Sequence, residues 1–182
     1  MIANIIHDKH GRRHRQLMKE INDQNIDYVF WNPIFESAFT NQNISRAHKQ
    51  IVQYASDKNM DMVLIMEDDV AFTCPGAFKY FINNIPKVFD LYLAGIYSGR
   101  LRFDDTVCPF SATHCYIVNR DFYDTFLSVN EALPIDAGLS ELSGTYKVCN
   151  PMTAFQHTGL SYNTGRLQDY SPRIKGYKKY GI

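Results

Sequence analysis

Three consecutive acids, Glu67-Asp68-Asp69, close an unbroken run of five apolar residues, Met62-Val63-Leu64-Ile65-Met66. Unpaired carboxylates at the edge of a core are costly, so this stretch calls for a cation. The run is too short for a membrane span and polar on both flanks. It reads as a strand buried on both faces of a parallel sheet. Ligands of open α/β sheets sit beyond the carboxyl ends of such strands, where these acids fall. Side chains alternate along an extended chain, which points Glu67 and Asp69 one way and Asp68 the other. Two carboxylates on one side suit a hard divalent cation, Mg²⁺ or Mn²⁺, shared with a diphosphate. The plainer alternative is an acidic turn capping the next segment.

The elements that must position these acids form an alternating α/β pattern. Residues 2–6 and 26–31 are apolar runs that read as strands. Between them Leu17, Met18 and Ile21 make one face of a helix, while Arg12, Arg15 and Lys19 share another. This β-α-β opening implies parallel pairing. A second helix opens at Asn43-Ile44-Ser45, with Ile44, Ala47, Ile51 and Ala55 at helical spacing, and leads into the acidic strand. With Ile44 and Ala47 toward the core, Arg46 or His48 faces the cleft. Pro75 suits the first position of a short helix. Strands are expected at 90–96, 113–118 and 144–149, and helices at 121–127 and within 133–140. Residues 98–110 read as a loop on the active-site side. After Pro151 periodicity is lost.

The chain has 182 residues, 45% of them hydrophobic, which suits one compact domain with a sizeable core. Lys plus Arg equals Asp plus Glu at 19 each, which argues against a general nucleic-acid binder. No early hydrophobic leader follows Met1 and no run is long enough to cross a bilayer. A cytoplasmic, reducing setting is expected, with the four cysteines widely spaced and unpaired. The spacing of Cys108, His114 and Cys115 matches no common zinc pattern.

Several motifs, in order, resemble those of family 25 glycosyltransferases, the lipopolysaccharide-biosynthesis type. Asn43-Ile44-Ser45-Arg46-Ala47-His48 before Glu67-Asp68-Asp69-Val70 is similar to the family's Ser-His helix and acidic strand end. Ser111-Ala112-Thr113-His114-Cys115-Tyr116 resembles its Gly-Thr-His-x-Tyr strand, with Ser111 in place of Gly. Pro134-Ile135-Asp136-Ala137-Gly138-Leu139 resembles its Pro-x-Asp-x-x-Leu turn, and the segment from Pro151 to Gln156 its closing Pro-x-x-x-Gln. Arg12-Arg13-x-Arg15 is similar to its early arginine-rich turn. The opening lacks the family's usual Asn-Leu.

The resemblance implies a GT-A fold: a nucleotide-sugar-binding α/β domain, its central sheet mostly parallel and flanked by helices. It also implies metal-assisted transfer of a sugar, often galactose from a UDP donor, to a glycan or glycolipid with inversion. Asp69, with Glu67 or Asp68 assisting, and a late His157 would hold the metal. Asp68, Arg12, Arg13, Arg15 and Arg46 would contact the donor, and Asp136 would be the base that deprotonates the acceptor. Each role has a plainer counterpart: Asp136 as the cap of a helix at 137–142, His157 as an ordinary polar residue, and the arginines as a solvated helix face. Two other functions stand beside this one: a metal-dependent nucleotidyltransferase, for which His10-Gly11-Arg12-Arg13 is a poor glycine-rich signature, and a non-catalytic nucleotide-sugar binder. The domain is expected to span 1–170. Residues 171–182 form a basic, aromatic tail that either frays in solvent or contacts an anionic membrane.

Overall fold

The computed structural model describes residues 1–160 and 165–182. The acidic strand, β3 (Met62–Glu67), lies third in a six-stranded sheet whose order is β2 (Tyr28–Trp31), β1 (Ala3–Ile6), β3, β8 (Cys115–Asn119), β5 (Leu91–Leu93), β9 (Tyr146–Val148). β1 is parallel to both β2 and β3, and β5 is parallel to β9, while β8 runs antiparallel to both its neighbours. Five strands therefore share one direction and β8 alone is reversed.

The apolar run of β3 is explained by its position. Val63 and Ile65 face one core with Ile51 and Val52 of α2 (Thr40–Asp57), Phe126 of α4 (Tyr123–Leu127) and Leu139 of α5 (Ile135–Ser140). Leu64 and Met66 face a second core with Leu17 and Ile21 of α1 (His14–Gln24) and Phe81 of α3 (Ala77–Asn83). All four β3 side chains are completely buried, each contributing roughly 1.5–3 kcal/mol by leaving water.

The remaining strands pair two by two. β4 (Val70–Phe72) is antiparallel to β10 (Ala154–Gln156), β6 (Ser98–Leu101) to β7 (Val107–Ser111), and β11 (Gly159–Leu160) to β12 (Leu167–Gln168). A short helix, α6 (Ser171–Ile174), follows. Gly95 lets the segment after β5 approach β10: a Cβ there would run into the Ala154 carbonyl oxygen.

Several expectations are corrected. α2 opens at Thr40 rather than Asn43, because the Asn43 side chain is engaged by the preceding loop, accepting from Ser37 N–H at 2.9 Å and donating to Ser37 O at 2.7 Å. Pro75 precedes α3 instead of starting it, because Gly76 turns left-handed at φ 84° before Ala77. Residues 98–110 form a hairpin, not a loop. Among the described residues beyond Pro151 the strand pairs are too short to show periodicity.

The tail does not fray. Met152 N–H donates to Lys178 O and Tyr180 N–H to Met152 O, both at 2.9 Å. Tyr180 stacks on Tyr80 at 4.2 Å, and Ile174 and Tyr177 pack on the core. Tyr177 and Tyr180, the aromatic residues of this tail, are thus partly turned inward.

Candidate active site

The chain leaves β1 outward to β2, and the next crossover carries it past β1 to β3. A pocket of about 420 Å³ opens where the strand order reverses, at the carboxyl ends of β1 and β3, the usual ligand position in such sheets. Its lining includes His7 and Asp8 after β1, Arg13, the three acids, His48 of α2, Tyr97, Thr113, Asp136 of α5, Gln156 of β10 and Tyr170.

β3 ends at Glu67, and Asp68-Asp69 form the turn into β4. Strand alternation therefore does not extend to them, and the pairing of Glu67 with Asp69 gives way to another. Asp68 Oδ1 and Asp69 Oδ2 converge on one nitrogen, Arg13 Nη1, at 2.8 and 2.9 Å. Arg13 is the residue before α1 and makes no capping bond, so its side chain reaches across to the acids. Asp68 Oδ2 also meets His7 Nδ1 at 3.2 Å, and His7 Nε2 meets His14 Nδ1 at 2.9 Å.

Glu67 turns to other partners. The Thr113 hydroxyl donates to its Oε1 at 2.7 Å, and His48 Nε2 lies 3.5 Å away. Burial works to raise the Glu67 pKa, but the bond and charge of His48, with Thr113, outweigh it and hold the carboxyl below its ordinary value. Asp69 goes the other way. Burial and the neighbouring charge of Glu67 push it up to about 7, against the pull of Arg13. The cleft carries more negative charge than its own cations neutralise.

Asp136 accepts from Ala137 N–H at 2.9 Å and from Ala112 N–H at 3.2 Å. It thereby secures Ala112, whose φ of 126° is one that side-chain-bearing residues rarely adopt. Burial raises the Asp136 pKa, and the charge of Glu67 adds to this. Tyr97 stacks on Tyr170 at 4.5 Å along the pocket wall.

The other expected site residues are placed as follows. His157 lines the pocket, but its Nε2 meets Glu20 Oε1 at 2.9 Å. Arg12 and Arg15 are exposed and outside the lining. Arg46 bonds Glu131 at 2.9 Å, tying α2 to the loop before α5, and it too lies outside the lining. Of the Arg46–His48 pair, His48 faces the cleft. Glu67, Asp69 and His157 are not assembled as a set, and among the described residues no three His, Cys, Asp or Glu side chains form a preformed metal cage. Arg13, Gln156, Tyr97 and Tyr170 complete the site instead.

The donor chemistry nevertheless fits a cation at Asp68 and Asp69. Two carboxylate oxygens already converge on a positively charged nitrogen. Beside them Gln156 Nε2 lies 3.3 Å from both Asp69 oxygens, while its Oε1 is buried without a hydrogen-bond partner. Oxygen donors of this kind suit Mg²⁺ or Mn²⁺ that shares its remaining positions with a phosphate ligand.

No protein-family model and no curated protein sequence matches the chain. Solved structures do match. HddC from Yersinia pseudotuberculosis aligns with TM-score 0.54 and 14% identity, over 81% of this chain and 88% of that one. A glycosyltransferase involved in glycosylation of the major capsid of PBCV-1 aligns with TM-score 0.52 and 16% identity, over 82% and 81%. A Drosophila beta-1,4-galactosyltransferase 7 mutant, complexed with manganese, UDP-Gal and xylobiose, aligns with TM-score 0.51 and 10% identity, over 100% and 81%. At these identities the likeness is one of fold. The chain has a GT-A-like α/β fold, with its mostly parallel sheet between helices.

Proposed function

We propose that this chain is a glycosyltransferase of the family 25 kind, moving a sugar from a nucleotide-diphosphate donor to a hydroxyl of a glycan or glycolipid. One observation carries the reading: Asp68 and Asp69 converge on a single cation at the end of β3, in a pocket that also holds the half-buried carboxylate of Asp136. Asp68 and Asp69, with Gln156 alongside, would hold Mn²⁺ or Mg²⁺. When bound, that ion counters the charge that builds on the departing diphosphate. Arg13 adds a second cation on the same side. Asp136 takes the acceptor hydroxyl's proton, which supports an inverting outcome; each of its oxygens keeps a lone pair beyond the N–H it accepts. Its raised pKa brings it closer to the working range of a base. The stacked Tyr97 and Tyr170 offer a flat wall to a uracil or sugar ring. Arg173, Lys175 and Lys178 are exposed on the docked tail and suit an anionic, lipid-bearing acceptor.

A second reading, a metal-dependent nucleotidyltransferase, draws support from Asp8 and Arg13, which bring the segment after β1 into the pocket. The products separate the two. With a panel of UDP-sugars and Mn²⁺, release of UDP supports the transferase. Pyrophosphate release from a nucleoside triphosphate and a sugar phosphate supports the alternative. Asp69→Asn should abolish either turnover, with a melting temperature equal to or above wild type because it removes a carboxylate that burial already disfavours. Full activity in Asp69→Asn would falsify the metal assignment.

A further inference from the structure

Arg13 makes three described contacts with one planar group. Nη1 serves Asp68 and Asp69 together, and Nη2 donates to the Leu160 carbonyl at 2.7 Å. The point on which the two carboxylates converge is thus filled by the protein's own cation. A divalent ion held by the same two oxygens cannot share that point with a guanidinium, since like charges in a partly buried cleft repel strongly.

From this geometry we infer that Arg13 is a displaceable internal cation. It competes with the divalent ion for Asp68 and Asp69, and a diphosphate relieves the competition by taking Arg13 over. The second clause rests on the nucleotide-diphosphate reading above; the first does not. Arg13 is suited to the exchange. Its guanidinium fork fits two phosphate oxygens as well as two carboxylate oxygens. Its backbone stands just before the first turn of α1, and its side chain already lines the pocket. In the empty protein Arg13 offsets part of the charge of Asp68 and Asp69, so the cleft does not depend on metal to fold. Metal and nucleotide then reinforce each other's binding by the same factor, as linkage requires.

The test is calorimetric titration of the metal-free protein with MnCl₂, without and with saturating UDP, on wild type, Arg13→Gln and Arg13→Lys. Without UDP, Arg13→Gln should bind Mn²⁺ at least tenfold tighter than wild type. Arg13→Lys, which keeps the charge but gives up the second nitrogen held by the Leu160 carbonyl, should fall between them at threefold or more. UDP should tighten Mn²⁺ binding tenfold or more in wild type and less than threefold in Arg13→Gln. Should Arg13→Gln show no cooperative melting transition, Arg13→Lys alone decides the first comparison. Variants that bind Mn²⁺ no tighter than wild type without UDP, including a failure to bind measurably at all, overturn the proposal. A tightened variant beside a wild type on which UDP has no effect supports the competition and overturns the diphosphate clause, and with it the nucleotide reading.

Discussion

His48 Nδ1 lies 2.7 Å from the Tyr116 hydroxyl, and both side chains are buried. Burial, with the charge of Glu67, raises the Tyr116 pKa well above its ordinary value, so the phenol keeps its proton beside the ring. The other ring nitrogen, Nε2, lies 3.5 Å from Glu67 Oε1. A tyrosine in the sheet core thereby fixes the orientation of a cleft histidine.

Tyr116→Phe should remove that hydroxyl and strand Nδ1 without a partner. The expected loss is about 1–3 kcal/mol, read by urea unfolding. Activity should fall less than stability suggests, because Thr113 still holds Glu67. His48→Ala should cost more than Tyr116→Phe, since it also takes a partner from Glu67. Equal stability of Tyr116→Phe and wild type would show that the bond orders nothing.

Asp136→Asn keeps the shape of a side chain that braces Ala112 and Ala137. If Asp136 is the base, the rate should drop by about 10²–10⁴ with donor KM little changed. Stability should fall by about 1–3 kcal/mol, because the amide accepts from only one of the two N–H groups, so the split between rate and KM carries the test. Normal turnover by this variant would leave Asp136 as a brace alone and place the base elsewhere.

His114 gives the pH dependence of stability a defined direction. Burial lowers its pKa from 6.5 to about 4, against the opposing effects of Glu67 and the Ala154 carbonyl. Between these values the unfolded chain binds a proton that the folded chain refuses. Stability present above pH 6.5 is therefore lost as pH falls toward 4, by up to about 3 kcal/mol. Denaturation midpoints taken across this range should fall more steeply for wild type than for His114→Gln. Parallel curves would mean that other groups govern acid unfolding.

Truncation after Tyr170 removes Ile174 and Tyr177 from the core and Tyr180 from Tyr80. Each large apolar side chain returned to water costs about 1.5–3 kcal/mol, so the shortened chain should melt well below the intact one. Membrane contact needs a separate probe that spares these packed residues. Lys175→Gln with Lys178→Gln should weaken co-sedimentation with anionic vesicles at low salt and leave melting unchanged. Undiminished sedimentation would remove the membrane role without touching the structural one.

The sequence was most legible where burial was extreme. The apolar run before Glu67 could only be a two-faced strand, and the opening β-α-β unit followed from simple periodicity. The site was less legible because its key contacts break those periodicities. Asp68 and Asp69 lie in a turn, where strand alternation no longer assigns direction. A helical wheel groups Arg12, Arg15 and Lys19, and this face is the solvated one. Arg13 stands before the helix begins, outside any wheel. Gln156 bears no charge to draw notice, although the closing Pro-x-x-x-Gln pattern contained it. Pairs of two or three residues, such as β11 with β12, are too brief to leave a pattern at all.

β5 runs toward the pocket and β8 runs away from it, so the chain between them both departs and returns at the cleft. The hairpin of β6 and β7 is therefore an excursion, tied back to β9 where Val148 N–H donates to Asp105 O and to the core by the buried Val107 and Phe110. Lengthening such an excursion costs little, since closure entropy grows only slowly with length. Residues could be added beside Phe103, fully exposed at the turn of the hairpin, with Tyr97 and Thr113 still anchored. The far edge of the sheet can thus be elaborated while the acids of the cleft stay in register.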